Sequence, residues 1–428
     1  MKFTKTTLKN GLRLVTVPMP ANPAVTVLVL VEAGSKYESK AESGISHFLE
    51  HMVFKGTTKR PKASLISREL DSIGAHYNAF TGQEYTGYYA KVDKRHTALA
   101  LDIVSDMYAD PLLDAAEIEK EKGVIIEELR MYQDLPHRHV QDLFLELVYG
   151  DQPAGWKIVG NEGTIKSFTR DHFIDYRSRH YVAPATTVIV SGSFDEASIA
   201  GEVEKAFAKI SGGPDIAKAL KPKVIEAQAK PEAKVHFRET DQTHLVIGVR
   251  SFDTFSKYDP ALKVLSTVLG KGMSSRLFTI LRDEMGVCYY VNADNDGYTD
   301  TGLFTVSAGV DNKRVEEVLK VIMREFRRLT NEAVPAHELQ KAKDFMLGST
   351  VLGLETSDAQ AEFFGMQETV KGKIRSFEEI SAEIMAVTAE DLQNVAKLIF
   401  VDQGLNLALV GRYQDASALM PVLTFAAN

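Results

Sequence analysis

The sequence has little of what marks several large classes of protein. Cys288 is the only cysteine among 428 residues, so an intrachain disulfide and a cysteine-based zinc site are both excluded. There is no basic tail or basic run, and the formal net charge of −8 argues against a nucleic-acid or anionic-membrane partner. The longest apolar run, around residues 25–31, is far too short to span a bilayer.

The amino terminus also lacks the pattern of a secretory signal peptide. Residues 1–18 contain scattered lysines, but neither an apolar core nor a small-residue cleavage site. A chain with a single cysteine suits a reducing compartment. These absences predict a cytoplasmic protein that binds neither nucleic acid nor membrane.

What is present is a globular composition arranged as alternating strand and helix patterns. Asn10-Gly11 stands between two alternating segments and predicts a hairpin with a type I′ turn. Residues 24–31 read as a buried strand, and residues 44–53 as a helix with Ser43 as its N-cap. Further helices are predicted over residues 65–73, 97–108 and 115–132, and strands over residues 77–81, 86–92 and 187–192.

The second half of the chain repeats this order of elements. Gly212-Gly213-Pro214 opens a stretch rich in Lys, Ala and Pro, which predicts a linker. Strands are then predicted over residues 244–249, 287–292 and 303–308, and helices over residues 260–269, 275–284, 315–329 and 336–347. We predict an α+β fold of two homologous repeats, each an antiparallel or mixed sheet covered by helices on one face. The expected bounds are an N-terminal repeat at 1–212, a linker at 213–233 and a C-terminal repeat at 234–428.

The most informative stretch is His47-Phe48-Leu49-Glu50-His51. Residues four apart on a helix lie one turn apart on the same face, so both imidazoles can reach one ion. Glu50 lies near that face, where its carboxylate can take a proton from a water. This is the inverzincin pattern, in which the histidines bind zinc and the acid is the general base. A chance match, or packed histidines on an apolar helix, is the alternative.

A catalytic zinc site needs a third protein ligand and an open position. The helix at residues 115–132 places Ile118, Glu121, Ile125 and Glu128 along one otherwise apolar stripe. Buried carboxylates are costly unless they are paired or bind a metal. We therefore expect Glu128 as the third ligand and Glu121 as an acid that orients a ligand or the water, whereas Glu127 lies on a solvated face. The alternative is that these acids decorate a charged helix.

Four segments together resemble the pitrilysin/insulinase family, most closely the branch that includes the mitochondrial processing peptidase β-subunit and its bacterial relatives. The segments are GISHFLEHMVFKGT (residues 44–57), NAFTGQEYTGY (78–88), EKGVIIEELRMY (121–132) and GMSSRLFTILRDEMGVCY (272–289). The resemblance covers nearly the whole chain. It implies a LuxS/MPP-like metallohydrolase fold, one zinc held by His47, His51 and Glu128, and Glu121 as an accessory acid.

The resemblance also implies roles for residues that the pattern alone leaves ambiguous. By themselves, Arg282 and Tyr289 read as an exposed helical arginine and a half-buried strand tyrosine. In the family, residues at these positions complete the active site, Tyr289 by stabilising the oxyanion and Arg282 by holding the substrate. Asn78, Ala79 and Phe80 are implied to form an edge strand that takes up the substrate as an added strand.

Three functions compete. The first is a zinc endopeptidase that hydrolyses peptides or unfolded polypeptides by a zinc-activated water, with Glu50 as general base. The second is a noncatalytic assembly or scaffold subunit of the same family, but such members have typically lost the site residues that are intact here. The third, a metal-dependent hydrolase of small molecules, has only the motif in its favour. Because one chain carries both sets of site residues, a homodimer enclosing a chamber is expected, with a heterodimer with a family paralogue as the alternative.

Overall fold

A computed structural model describes residues 1–213 and 215–425. The chain opens with the predicted hairpin, in which strands β1 (Thr4–Thr7) and β2 (Arg13–Pro18) pair antiparallel. The predicted type I′ turn is wrong, because Gly11 has a φ of 93° while Asn10 stays at negative φ. Instead, the Gly11 N–H donates to the Leu8 carbonyl, as in a three-residue loop whose last residue is left-handed.

The first sheet has six strands in the order β1-β2-β6-β3-β5-β4. Its remaining strands are β3 (Ala24–Val31), β4 (His76–Thr81), β5 (Thr86–Asp93) and β6 (Thr186–Gly192). β2 and β6 run parallel and the other neighbours antiparallel. β3 is buried on both faces from Val25 onwards, which explains why its sequence is continuously apolar rather than alternating.

The second sheet has five strands in the order β7-β11-β8-β10-β9. The strands are β7 (Glu232–Phe237), β8 (Gln242–Ser251), β9 (Cys288–Gly297), β10 (Gly302–Asp311) and β11 (Leu405–Gly411). This is the order of the first sheet without β1, and the one parallel pair, β7 with β11, matches β2 with β6. The repeated element order predicted from the sequence therefore extends to strand order and direction.

Helices pack on both sheets, and the predicted α+β fold is confirmed. In chain order, the helices before the linker are α1 (Ile45–Met52), α2 (Ala63–Asp71), α3 (Thr97–Ala109), α4 (Ala115–Asp134), α5 (Pro136–Tyr149), α6 (Glu162–Ser167), α7 (Arg170–His180) and α8 (Ile199–Ala206). Those after it are α9 (Asp259–Gly270), α10 (Val315–Asn331), α11 (Ala336–Gly353), α12 (Ser357–Met366), α13 (Phe377–Ala386) and α14 (Ala389–Ile399). The predicted helix over residues 275–284 is a π-helix over Phe278–Glu284.

Two segments, one containing α5 and one containing α12, belong to the compact unit of the other half of the chain. In each unit, this helix covers the second face of the sheet. The first compact unit comprises residues 1–129, 156–222 and 351–376, and the second comprises residues 130–155, 223–350 and 377–428. Within the first unit, Ala361 and Phe364 of α12 pack against Leu28 and Leu30 of β3. In the second, α5 packs against β11 and β8 in the same way. The compact units therefore depart from the contiguous repeats predicted at 1–212 and 234–428.

Between α8 and β7 the described residues form neither helix nor strand, in keeping with the predicted linker. Pro214, part of the turn predicted to open that linker, lies outside the described residues, as do residues 426–428. Within the described part of the chain, no helix is long and apolar enough to cross a membrane.

Candidate metal centre

Helix α1 presents the two histidines because its other face is locked into the core of the first unit. Ile45, Phe48, Leu49 and Met52 are fully buried. The ring of Phe48 packs edge-on against Phe173, with the centroids 5.0 Å apart. The helix begins after Gly44, not at the predicted N-cap Ser43, and the φ of 97° at Gly44 suits a residue without a side chain.

The acids of helix α4 are buried or exposed as the apolar stripe in its sequence predicts. Ile118, Glu121 and Ile125 are buried, Glu128 is half-buried, and Glu127 is exposed. Glu128 lies against both imidazoles, with Oε1 3.6 Å from Nε2 of His47 and Oε2 3.3 Å from Nε2 of His51. The structure thus brings His47, His51 and Glu128 together from helices more than 60 residues apart in the sequence.

These three side chains fit a zinc ion in both chemistry and spacing. One ligand atom from each lies within 4.8 Å of the other two. In a tetrahedral site with zinc–ligand bonds of about 2.0–2.1 Å, two ligand atoms are separated by about 3.4 Å. The two separations from Glu128 bracket that value, and two imidazoles with a carboxylate form a known ligand set of catalytic zinc.

Glu121 contacts the other nitrogen of His51. Nδ1 of His51 lies 2.9 Å from Oε1 of Glu121, and Lys55 lies against the second carboxylate oxygen. A proton on Nδ1, donated to Glu121, leaves the lone pair of Nε2 free for a metal. Burial alone would lower the pKa of His51, but the neighbouring carboxylates of Glu121 and Glu128 raise it to about 9. Burial would raise the pKa of Glu121, and its contacts with His51 and Lys55 lower it instead.

Glu50 of α1 is held by β4, an edge strand of the first sheet. Oγ1 of Thr81 donates a hydrogen bond to Oε2 of Glu50, at 2.6 Å. Thr81 ends β4, which is the last strand in the sheet order and, within the described part of the chain, pairs only with β5. Asn78, Ala79 and Phe80 therefore lie on an edge strand, as predicted. The role of Thr81 was not anticipated, although it stands within the NAFT segment.

A buried acid behind α1 was also missed by the sequence reasoning. Glu38 is 2% exposed and accepts hydrogen bonds from the backbone N–H groups of Gly44 and Ser46. Its position seven residues before Ile45 gives no periodic signal, since it lies outside any helix or strand. Only the folded loop brings its carboxylate to the start of the helix.

Arg282 and Tyr289 belong to the second unit, and the structure brings them together. The guanidinium carbon of Arg282 lies 5.4 Å from the centre of the Tyr289 ring, and Nη1 donates to the Cys288 carbonyl at 2.9 Å. Tyr289 is 72% exposed and lies on β9, one of the two edge strands of its sheet. Its hydroxyl is therefore available to a ligand.

Two family models and several relatives match this chain by sequence over most of its length. The family model "Insulinase (Peptidase family M16)" matches residues 13–162, and "Peptidase M16 inactive domain" matches residues 167–346. An "uncharacterized zinc protease" of Streptomyces coelicolor is 34% identical, over 97% of this chain and 90% of its own. The "uncharacterized zinc protease YmxG" of Bacillus subtilis is also 34% identical, over 92% of this chain and 95% of its own.

Solved structures share the fold over nearly the full length. A protease from Helicobacter pylori superposes with a TM-score of 0.90 at 25% identity, covering 96% of this chain and 99% of that one. A chain of complex III2 from Candida albicans superposes with a TM-score of 0.84 at 18% identity, covering 98% and 99%. Two family models over most of the chain, together with full-length relatives, show that this protein belongs to the insulinase family of zinc proteases, peptidase family M16.

Proposed function

We propose that this protein is a zinc endopeptidase that binds one zinc per chain and hydrolyses peptides or unfolded polypeptides. The observation that carries the proposal is that ligand atoms of His47, His51 and Glu128 lie within 4.8 Å of one another, with the Glu128 carboxylate 3.6 and 3.3 Å from Nε2 of the two imidazoles. When bound there, zinc would act as a Lewis acid toward the substrate carbonyl and the attacking water. Family membership supports peptides as the substrate class.

Glu50 is the proposed general base. Its carboxylate takes a proton from the attacking water and later delivers it to the leaving amine. The hydrogen bond from Thr81 occupies one lone pair of Oε2 and fixes the rotamer, so the other oxygen stays available for the proton. Because Thr81 ends β4, the same strand that would receive the substrate also orients the base.

The substrate is proposed to add to β4 as a further strand beside Asn78, Ala79 and Phe80. An edge strand offers backbone groups whose hydrogen bonds recognise an extended chain with little regard to its side chains. Arg282 is proposed to hold the substrate and Tyr289 to donate a hydrogen bond to the oxyanion. The exposure of Tyr289 supports a role in contact with substrate.

A second candidate is a noncatalytic scaffold subunit, because the fold alone is shared with a chain of complex III2. The intact set of His47, Glu50, His51, Glu121 and Glu128 favours the enzyme. For the enzyme we further propose a cytoplasmic homodimer enclosing a chamber, which would admit unfolded chains and exclude folded proteins. Light scattering of the purified protein tests the assembly, and a fully active monomer contradicts it.

The decisive experiment measures zinc content and peptide cleavage in the same preparation. Wild type is expected to contain about one zinc per chain, to cleave a mixed peptide library and unfolded casein, and to lose activity to a chelator. Glu50→Gln is expected to keep its zinc and to lose about 10²- to 10⁴-fold in kcat, because the base is lost while the ligands remain. Near-normal turnover by Glu50→Gln refutes the mechanism, and wild type with zinc but no cleavage favours the scaffold.

A further inference from the structure

The first turn of α1 is fixed by a side chain from outside the helix. Oε2 of Glu38 accepts from the Gly44 N–H at 2.8 Å, and Oε1 accepts from the Ser46 N–H at 2.9 Å. Both N–H groups belong to the start of the helix, where no intrahelical acceptor exists. One buried carboxylate therefore satisfies two of the unpaired donors of the helix that carries both histidines.

His47 depends on the helix backbone more than His51 does. Nδ1 of His51 lies 2.9 Å from Glu121, which orients the ring. Nδ1 of His47 is buried and has no hydrogen-bond partner among the described residues. Its ring direction must then follow from packing and from the backbone position of residue 47, directly after the Ser46 N–H that Glu38 holds.

Burial disfavours the charged form of the Glu38 carboxyl. Burial raises the pKa of Glu38 to about 7, against the lowering effect of the two backbone hydrogen bonds. A second contact supports the same turn, because Oγ of Ser46 lies 2.8 Å from the hydroxyl of the buried Tyr176. The first turn of α1 is therefore held by Glu38 and Tyr176, both from outside the helix.

We propose that Glu38 is a positioning residue for the metal centre: its carboxylate fixes the first turn of α1 and thereby aims Nε2 of His47 at the ion. The inference rests on the proposed zinc site and adds to it a residue that touches neither metal nor substrate. Glutamine at this position supplies one acceptor oxygen, but it turns its NH₂ group toward the second backbone N–H. Glu38→Gln thus loses one of the two hydrogen bonds without a large change in volume.

The test measures zinc affinity by competition with a chelator of known affinity and, separately, the Tm of the metal-free protein. Glu38→Gln is expected to bind zinc about tenfold more weakly than wild type, in the range found for residues that orient metal ligands. Glu38→Asp keeps both acceptor oxygens on a shorter side chain and is expected to fall between the two. The matched control is Thr388→Ala, which removes the side chain that caps α14 in the second unit. It should lower the Tm and leave zinc affinity unchanged.

Wild-type zinc affinity in Glu38→Gln overturns the inference. So does a fall in affinity that Thr388→Ala reproduces at an equal loss of Tm, because Glu38 would then act only through global stability. If Glu38→Gln does not fold, Glu38→Asp decides, since wild-type affinity there also overturns the inference. A wild-type protein that binds no zinc refutes the proposed function itself, an outcome distinct from either of these.

Discussion

The two units share one strand order but use their buried charges differently. In the first, the acids of α4 meet imidazoles: Glu121 contacts His51, and Glu128 contacts His47 and His51. In the second unit, α11 is the helix that corresponds to α4 in chain order. Its Glu338 pairs with a guanidinium, with Oε1 and Oε2 2.7 and 2.8 Å from nitrogen atoms of Arg276.

The helix that corresponds to α1 shows the same contrast. α9 follows β8 as α1 follows β3, but it carries no histidine and is buried along most of its length. An acid paired with arginine is neutralised and can only support the fold. An acid paired with imidazoles keeps the option of binding a cation, because an imidazole can give up its proton to a metal ion. The same arrangement of strands thus occurs twice, but among the described residues only the first copy brings together side chains that could hold a metal ion.

Among variants of the second unit, the largest effect is expected at a residue that binds no metal. Tyr289→Phe removes the proposed oxyanion donor and should lower kcat by about 10²- to 10³-fold, with zinc content unchanged. Because the side chain is 72% exposed, the fold should tolerate the change. Steady-state kinetics with elemental analysis checks this. An unaltered kcat would mean that the second unit contributes no catalytic group at this position.

The next prediction compares how stability depends on pH at two buried acids with different partners, Glu38 and Glu325. Glu38 has a pKa raised to about 7, so the folded protein binds a proton there more tightly than the unfolded chain. Stability from this group is present below the unfolded pKa of about 4.5 and is lost as pH rises through about 7. The loss is on the order of 3 kcal/mol at 1.36 kcal/mol per pKa unit.

Denaturant unfolding of the metal-free protein from about pH 4 to about pH 8, a range that brackets both pKa values, measures the effect. Wild type should lose more stability than Glu38→Gln as the pH rises. Glu325→Gln is the contrasting variant, because Glu325 is fully buried against Arg276 and Arg328. This variant should be less stable than wild type at every pH in the range, because the two guanidinium groups lose a charged partner. Parallel pH curves for wild type and Glu38→Gln would contradict the assignment.

A smaller effect on metal binding is expected at Glu121. Glu121→Gln keeps a hydrogen-bond acceptor for Nδ1 of His51 but removes the negative charge that favours that donor. Zinc affinity should fall by about 10- to 100-fold while one site per chain remains. Calorimetric titration with a competing chelator gives both values. Complete loss of the site would instead make Glu121 a direct ligand.

The smallest effect is expected at Glu338, an acid on the helix of the second unit that corresponds to α4 in chain order. Glu338→Gln weakens the paired hydrogen bonds with Arg276 and should cost about 1–2 kcal/mol of stability. Zinc affinity and kcat should not change. Chemical denaturation and zinc titration of the same variant test both statements, and a loss of zinc would show that the two units are not independent in metal binding.

Much of the fold could be predicted because local patterns decide it. The strand over residues 24–31 was predicted with its observed bounds, and the stripe on α4 distinguished the half-buried Glu128 from the exposed Glu127. Periodicity encodes which face of an element is buried, and it needs no knowledge of the partner element.

The remainder depends on contacts between distant segments. No local signal shows that α12 covers the first sheet and α5 the second, because an amphipathic helix does not specify which sheet it meets. The cap supplied by Glu38 was missed for the same reason, and Ser43 was predicted in its place. The predicted type I′ turn at Asn10 was wrong because an Asn-Gly pair also suits a loop that needs only one left-handed residue.

The most direct test of the central claim compares two adjacent acids on α4. Glu128→Gln should lose most of its bound zinc, and Glu127→Gln should retain the wild-type content, because Glu128 lies within 3.6 Å of both imidazole Nε2 atoms whereas Glu127 is exposed. Elemental analysis after dialysis against a weak chelator, with circular dichroism as a check on folding, gives the answer. Zinc lost from Glu127→Gln and kept by Glu128→Gln would contradict the proposed metal centre.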